Sequence, residues 1–185
     1  MSKNANQMPA QPLTPREQAQ QKYNSARANL IIMLGFTVIN VVLAFLGSES
    51  MLLFSATVPY LAAISATLEE LQPMLIPLVA VIVVSIAAYL AFWIFSKKHY
   101  GFMIAALVFF IVDTLVLVGF YILLGEVSGI LDVAIHAWVL YYLVIGVING
   151  AKLRKLPPEE TGEEKTEATL NGVPFTSEAT GEIDK

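Results

Sequence analysis

Four stretches of this chain, 28–47, 73–95, 100–124 and about 129–150, are apolar almost without interruption and run for 20, 23, 25 and 22 residues. At about 1.5 Å of rise per residue, a helix of that length crosses a hydrocarbon core of about 30 Å. No run alternates with a polar face, so none fits the half-wet helix or strand of a soluble domain. The hydrophobic content of 56% points the same way. The predicted fold is all-α, a four-helix transmembrane bundle, because only helices and closed barrels satisfy their own backbone in lipid.

Charge placement gives the bundle a direction. Lys3, Arg16, Lys22 and Arg27 precede the first run, Lys97 and Lys98 lie between the second and third, and Lys152, Arg154, Lys155, Lys165 and Lys185 follow the fourth. These are all 11 basic residues of the chain, and they fall on one side. The connections on the other side, 48–72 and 125–128, carry only Glu49, Glu69, Glu70 and Glu126. The positive-inside rule therefore predicts a multi-pass membrane protein with cytoplasmic N- and C-termini. The net charge of −4 describes a tail and a loop, since eight of the 15 carboxylates lie in the last 30 residues. No nucleic-acid surface follows from it.

Residues 1–13 are polar and hold Pro9 and Pro12, the composition of a disordered cytoplasmic leader. The membrane domain is predicted over 14–150. Thr14-Pro15-Arg16-Glu17 has the residues of a capping box with Pro in the first turn, so a helix should begin there and continue into the first span as a retained signal anchor. The outer segment 48–72 includes 19 uncharged residues, Ser50–Leu68, but Pro59 and five Ser or Thr residues lower its apolarity. A crossing there would also break the charge asymmetry. It is predicted to form an outer-face interfacial or re-entrant helical hairpin, acting as a lid or as a gate. Residues 151–185 open with the basic AKLRK and turn acidic beyond Pro157–Pro158, the pattern of a disordered cytoplasmic tail.

The candidate site residues are polar groups inside spans, where ionisable side chains are rare and costly. Counted from the basic anchors at about 1.5 Å per residue, Asp113, Asn40, His136 and Ser85 lie about 22, 20, 24 and 18 Å inward, one per span. They fall in one layer. Thr37, Asn40 and Ala44 share a face of the first span, Ser85 and Tyr89 one of the second, and Asp132 and His136 are a turn apart on the fourth. Two readings follow. As structure, such groups bond across helices and fix their register. As function, an Asp beside a His can pass a proton or hold a cation.

Catalytic chemistry has little to stand on. Two histidines and no cysteine supply neither an HExxH pair nor a Cys or three-His metal set, so no catalytic residue, metal or cofactor is assigned. Gly146-Val-Ile-Asn-Gly150 and the Ala87/Ala91 pair have small-xxx-small spacing, which suits close helix packing and is compatible with a homo-oligomer or a membrane-protein partner beside the lipid bilayer.

The lead-in Tyr23-Asn24-Ser25-Ala26-Arg27, the span NLIIMLGFTVINVVLAFLG and the segment LFSATVPY, together covering Tyr23 to about Tyr60, resemble small four-span membrane proteins of Gram-positive bacteria. The resemblance implies a bacterial plasma-membrane location and no activity. The expected function is that of a non-enzymatic accessory or scaffold protein; the alternative is a small proton- or ion-coupled transporter or channel using Asp113 and His136.

Overall fold

The computed structural model describes residues 13–48, 50–125 and 129–157. The predicted leader, apart from Leu13, and the predicted tail beyond Pro157 lie outside the described residues. The compact unit Met1–Lys155 holds every helix described below, and of the second unit, Leu156–Lys185, only residues 156 and 157 are described. Among the described residues the fold is all-α: α1 (Pro15–Phe45), α2 (Thr57–Thr67), a 3-10 helix (Glu69–Met74), α3 (Leu75–Phe95), α4 (Gly101–Leu124) and α5 (Ile130–Lys155). Four helices are long and apolar enough to cross a membrane, namely α1, α3 with the 3-10 turn before it, α4 and α5.

The first helix begins where the capping residues place it. Thr14 Oγ1 accepts from the Glu17 amide at 3.1 Å, and the Glu17 carboxylate accepts from the Thr14 amide at 2.7 Å. Nothing breaks the helix before Leu46, so the polar lead-in and the first span form one rod. It ends in a Schellman turn: the Gly47 amide bonds Ala44 O and the Ser48 amide bonds Leu43 O, with Gly47 at φ +71°. A side chain at that φ is strained, and this is where the chain must reverse.

At the basic end, α5 runs on through Lys155, five residues past the domain boundary expected at Gly150. Ala151–Lys155 contains no helix breaker, and Lys152, Arg154 and Lys155 complement the carbonyl end of the helix dipole. The carbonyl end of α3 is held by α1. Tyr23 Oη donates to Ser96 O at 2.6 Å, and Arg27 donates to Ser96 Oγ at 3.0 Å and to Trp93 O at 3.1 Å while lying over the Trp93 ring.

Packing follows membrane logic. Large aliphatic side chains such as Ile76, Val84, Leu115 and Leu123 point outward, while Asn40, Thr37, Asp113 and His136 are buried. Small residues set the closest approaches. A Cβ at Gly146 of α5 would lie 2.7 Å from Ala26 Cβ of α1 and 3.2 Å from Met103 of α4, so the three helices meet where only hydrogen fits. Tyr23, Leu30, Met33, Tyr89, Met103, Phe110, Val139 and Leu143 fill the main core around this contact. A second core joins Val41 and Ala44 of α1 to Ala62 and Ala63 of α2 and Ile82 of α3.

The segment after α1 is re-entrant. From Ser50 the chain runs back alongside α1 until Ala56 reaches the level of Thr37, then turns outward as α2. Eight helical residues separate Thr37 from Phe45, so the excursion reaches about 12 Å below the end of α1. Its descending arm is irregular and its ascending arm is helical, giving a hairpin with one helical limb.

Candidate functional site

An irregular segment inside an apolar bundle carries backbone amides and carbonyls with no water to bond, and each left unpaired costs free energy. The buried polar side chains of α1, α4 and α5 meet that demand. The Asn40 carboxamide pairs with Leu52 much as a neighbouring strand would: Oδ1 accepts from the Leu52 amide at 2.8 Å, and Nδ2 donates to Leu52 O and to Ser55 Oγ, both at 2.7 Å. Three residues earlier on the same face, Thr37 Oγ1 accepts from the Ala56 amide at 2.8 Å and donates to Met33 O at 2.9 Å.

Asp113 completes the set. The N-cap of α2 is Ala56, which has no side-chain acceptor, so the first amides of that helix need a partner from elsewhere. Asp113 of α4 supplies both its oxygens, Oδ2 to the Thr57 amide and Oδ1 to the Val58 amide, each at 2.8 Å. A carboxylate at a helix N-terminus is also favoured by the dipole, and in a water-poor setting that attraction is screened little. Asp113 is thus a remote cap, and the side-chain charge a span ordinarily excludes becomes the anchor of a half-helix.

His136 of α5 closes the ring. Its Nδ1 lies 3.0 Å from Asp132 O, and since a carbonyl only accepts, Nδ1 carries its hydrogen. Nε2 then faces Thr57 Oγ1 at 3.1 Å and Asp113 Oδ2 at 3.4 Å. Unprotonated, it accepts from the Thr57 hydroxyl; protonated, it faces Asp113 as an ion pair. The imidazole is stacked on Phe110 with centroids 5.1 Å apart and planes 11° apart, which fixes its tilt.

Of the four residues singled out by depth, the structure brings Asp113 and His136 into contact and joins Asn40 to them through the re-entrant chain. Ser85 is different. It is buried on α3 but takes no part in the hydrogen bonds that tie the other three to Leu52–Val58. Thr37, Ser55 and Thr57 were not singled out as site residues by the sequence, because hydroxyls are too common in spans to signal anything alone. The readable clue was Ala56-Thr57-Val58-Pro59: a proline in the first turn of a helix whose start offers no local acidic cap.

Beside the anchor lies a cavity of about 60 Å³ lined by Ser55, Thr57, Tyr60, Tyr121, Asp132 and His136 together with apolar groups. Space of that size with several polar walls accepts a few waters. The Tyr121 hydroxyl donates to Asp132 Oδ2, while Asp132 Oδ1 has no protein partner. Asp113 does not line the cavity. Among the described residues no three His, Cys, Asp or Glu side chains converge as a metal site. No known protein family, curated protein or solved structure matches the chain.

Proposed function

We propose that the protein is a non-enzymatic accessory or scaffold protein of a bacterial plasma membrane, with four spans and both termini in the cytoplasm. The observation that carries this reading is the bonding of Asp113: both oxygens are engaged by backbone amides of α2, and its side chain does not line the neighbouring polar cavity, which is the work of a structural cap. The protein then acts through its helix faces and cytoplasmic ends, and the re-entrant segment is a fixed plug on the outer side. The bacterial assignment rests on the likeness of Tyr23–Tyr60 to small Gram-positive membrane proteins, and the orientation on the one-sided basic residues.

A second reading, a small proton- or ion-coupled transporter, is favoured by one feature, the polar cavity at His136 and Asp132 with its unpartnered oxygen. Reconstituted vesicles under imposed pH, Na⁺ and K⁺ gradients separate the two. The scaffold gives no flux above empty vesicles. Flux that is lost in Asp132→Asn and kept in Ser85→Ala would install the transporter reading instead, because only the first change removes a carboxyl group from the wall of that cavity.

Orientation has its own test, made simple by the absence of native cysteine. Single cysteines at Ser2, Ser48, Ser128 and Ser177 are exposed to an impermeant thiol reagent on intact cells. Labelling is expected at Ser48→Cys and Ser128→Cys alone; labelling of Ser177→Cys from outside would reverse the assignment.

A further inference from the structure

A second, wider cavity lies far from the re-entrant anchor, at the basic end. It measures about 580 Å³, within the range of small-molecule sites, and is open between α1, the α3–α4 turn and α5. Arg16, Lys97, Lys98, His99 and Arg154 all line it, and among the described residues no carboxylate does. Lys97 and Lys98 make no ion pair among the described residues. Arg154 is held over the Tyr100 ring, 4.9 Å from its centroid, and an Arg16 guanidinium nitrogen reaches Leu153 O at 3.4 Å, so two of the cations are oriented by the fold.

The walls are shaped as well as charged. A Cβ at Gly150 would come within 2.9 Å of the Tyr23 ring and 3.1 Å of Tyr100 Cβ, so the glycine lets the Tyr23 ring and the start of α4 close the floor. A Cβ at Gly101, on the rim, would meet nothing within 4 Å, leaving the first turn of α4 open to an occupant. Lys97, Lys98 and Arg154 bring three permanent charges of one sign to the cavity wall, and like charges this close together favour an anion among them. Guanidinium forks and ammonium groups around one cavity match the tetrahedral oxygens of a phosphoryl group better than a single carboxylate, and basic pockets between helix ends at the cytoplasmic surface are suited to lipid phosphates.

We propose that this pocket binds a phosphate-bearing anion, presented either by the headgroup of an anionic phospholipid or by a soluble phosphate compound. The two sources share the chemistry and differ in what carries it.

The test uses the full chain in nanodiscs. In phosphatidylcholine discs, inorganic pyrophosphate is titrated by calorimetry. In discs of mixed phosphatidylcholine and phosphatidylglycerol, native mass spectrometry counts the lipids that stay bound on release. The variant Lys97→Gln/Arg154→Gln removes two charges from the pocket wall, and Lys152→Gln/Lys155→Gln removes two from the same end outside it. Loss of two phosphate-facing cations should weaken binding about 10- to 30-fold, whereas the outside pair should change it less than about threefold. Circular dichroism confirms that each variant is folded, and Lys97→Gln/Lys98→Gln replaces the first pair if Arg154→Gln disturbs the Tyr100 contact. A pocket-specific loss for pyrophosphate identifies a soluble ligand, and one for retained phosphatidylglycerol identifies a lipid. Equal losses in the two double variants, or no binding of either probe to the parent protein, overturn the proposal.

Discussion

Asp113→Ala should unseat the re-entrant segment and lower stability by about 2–6 kcal/mol. The change strands the Thr57 and Val58 amides, whose acceptors are the two Asp113 oxygens, and each buried group left unpaired costs about 1–3 kcal/mol. It also leaves His136 without the oxygen 3.4 Å away and takes the countercharge from the positive end of α2. Asp113→Asn keeps Oδ1 as an acceptor but turns an NH₂ toward the second amide, so about half the loss should remain. Reversible unfolding in mixed micelles gives the magnitude. Amide hydrogen exchange gives the place, because protection at Thr57 and Val58 should vanish in Asp113→Ala while the Met103–Phe110 stretch of α4 keeps its own. Full protection at both amides in the alanine variant would show that something else caps α2.

That expectation separates two meanings of an intramembrane carboxylate. A carboxylate that carries protons needs an acceptor site that empties and refills and a path of water to it. Asp113 has two fixed amide donors and does not line the polar cavity beside it. The group better placed for exchange is its neighbour Asp132, with one oxygen unpartnered beside the polar cavity and the other taken by Tyr121. Should flux ever be measured, its titratable element is expected in the Asp132–His136–Tyr121 wall, with Asp113 holding the scaffold around it.

Much of this architecture was readable from residues. The apolar runs mark the four long helices, and the Thr14–Glu17 spacing marks the start of α1. The basic residues at one end and Pro59 within Ser50–Leu68 give reason to keep that segment from crossing. Depth counted along each span puts Asn40, Asp113 and His136 in one layer, because rise per residue in a helix is fixed, and the structure sets Asp113 against His136 and bonds Asn40 and Asp113 to one segment. Rotation about the helix axis is what counting misses, and Ser85 is the case in point. It lies at a similar depth but outside the hydrogen-bonded ring. The deeper omission was the identity of the partner. Side-chain patterns suggest side-chain partners, whereas here the polar groups of the spans serve the backbone of Leu52–Val58, and a backbone has no sequence signature.

If those side chains anchor one segment together, their losses should not add. Asn40→Leu removes the carboxamide that pairs both the amide and the carbonyl of Leu52 and that donates to Ser55, and is expected to cost about 2–4 kcal/mol alone. Ser85→Ala, a buried hydroxyl outside the ring, should cost less than about 1 kcal/mol on the same scale. Once Asp113→Ala has released α2, the descending arm is free to leave as well, and water or its own turns can then satisfy Leu52. Asn40→Leu placed on that background should therefore cost at least about 1 kcal/mol less than in the parent protein, a coupling within the range seen for residues of one hydrogen-bonded network. Ser85→Ala on the same background should add its full small cost. Strict additivity of Asn40→Leu and Asp113→Ala would mean that the two side chains stabilise separate parts of the bundle and that the re-entrant segment does not move as one unit.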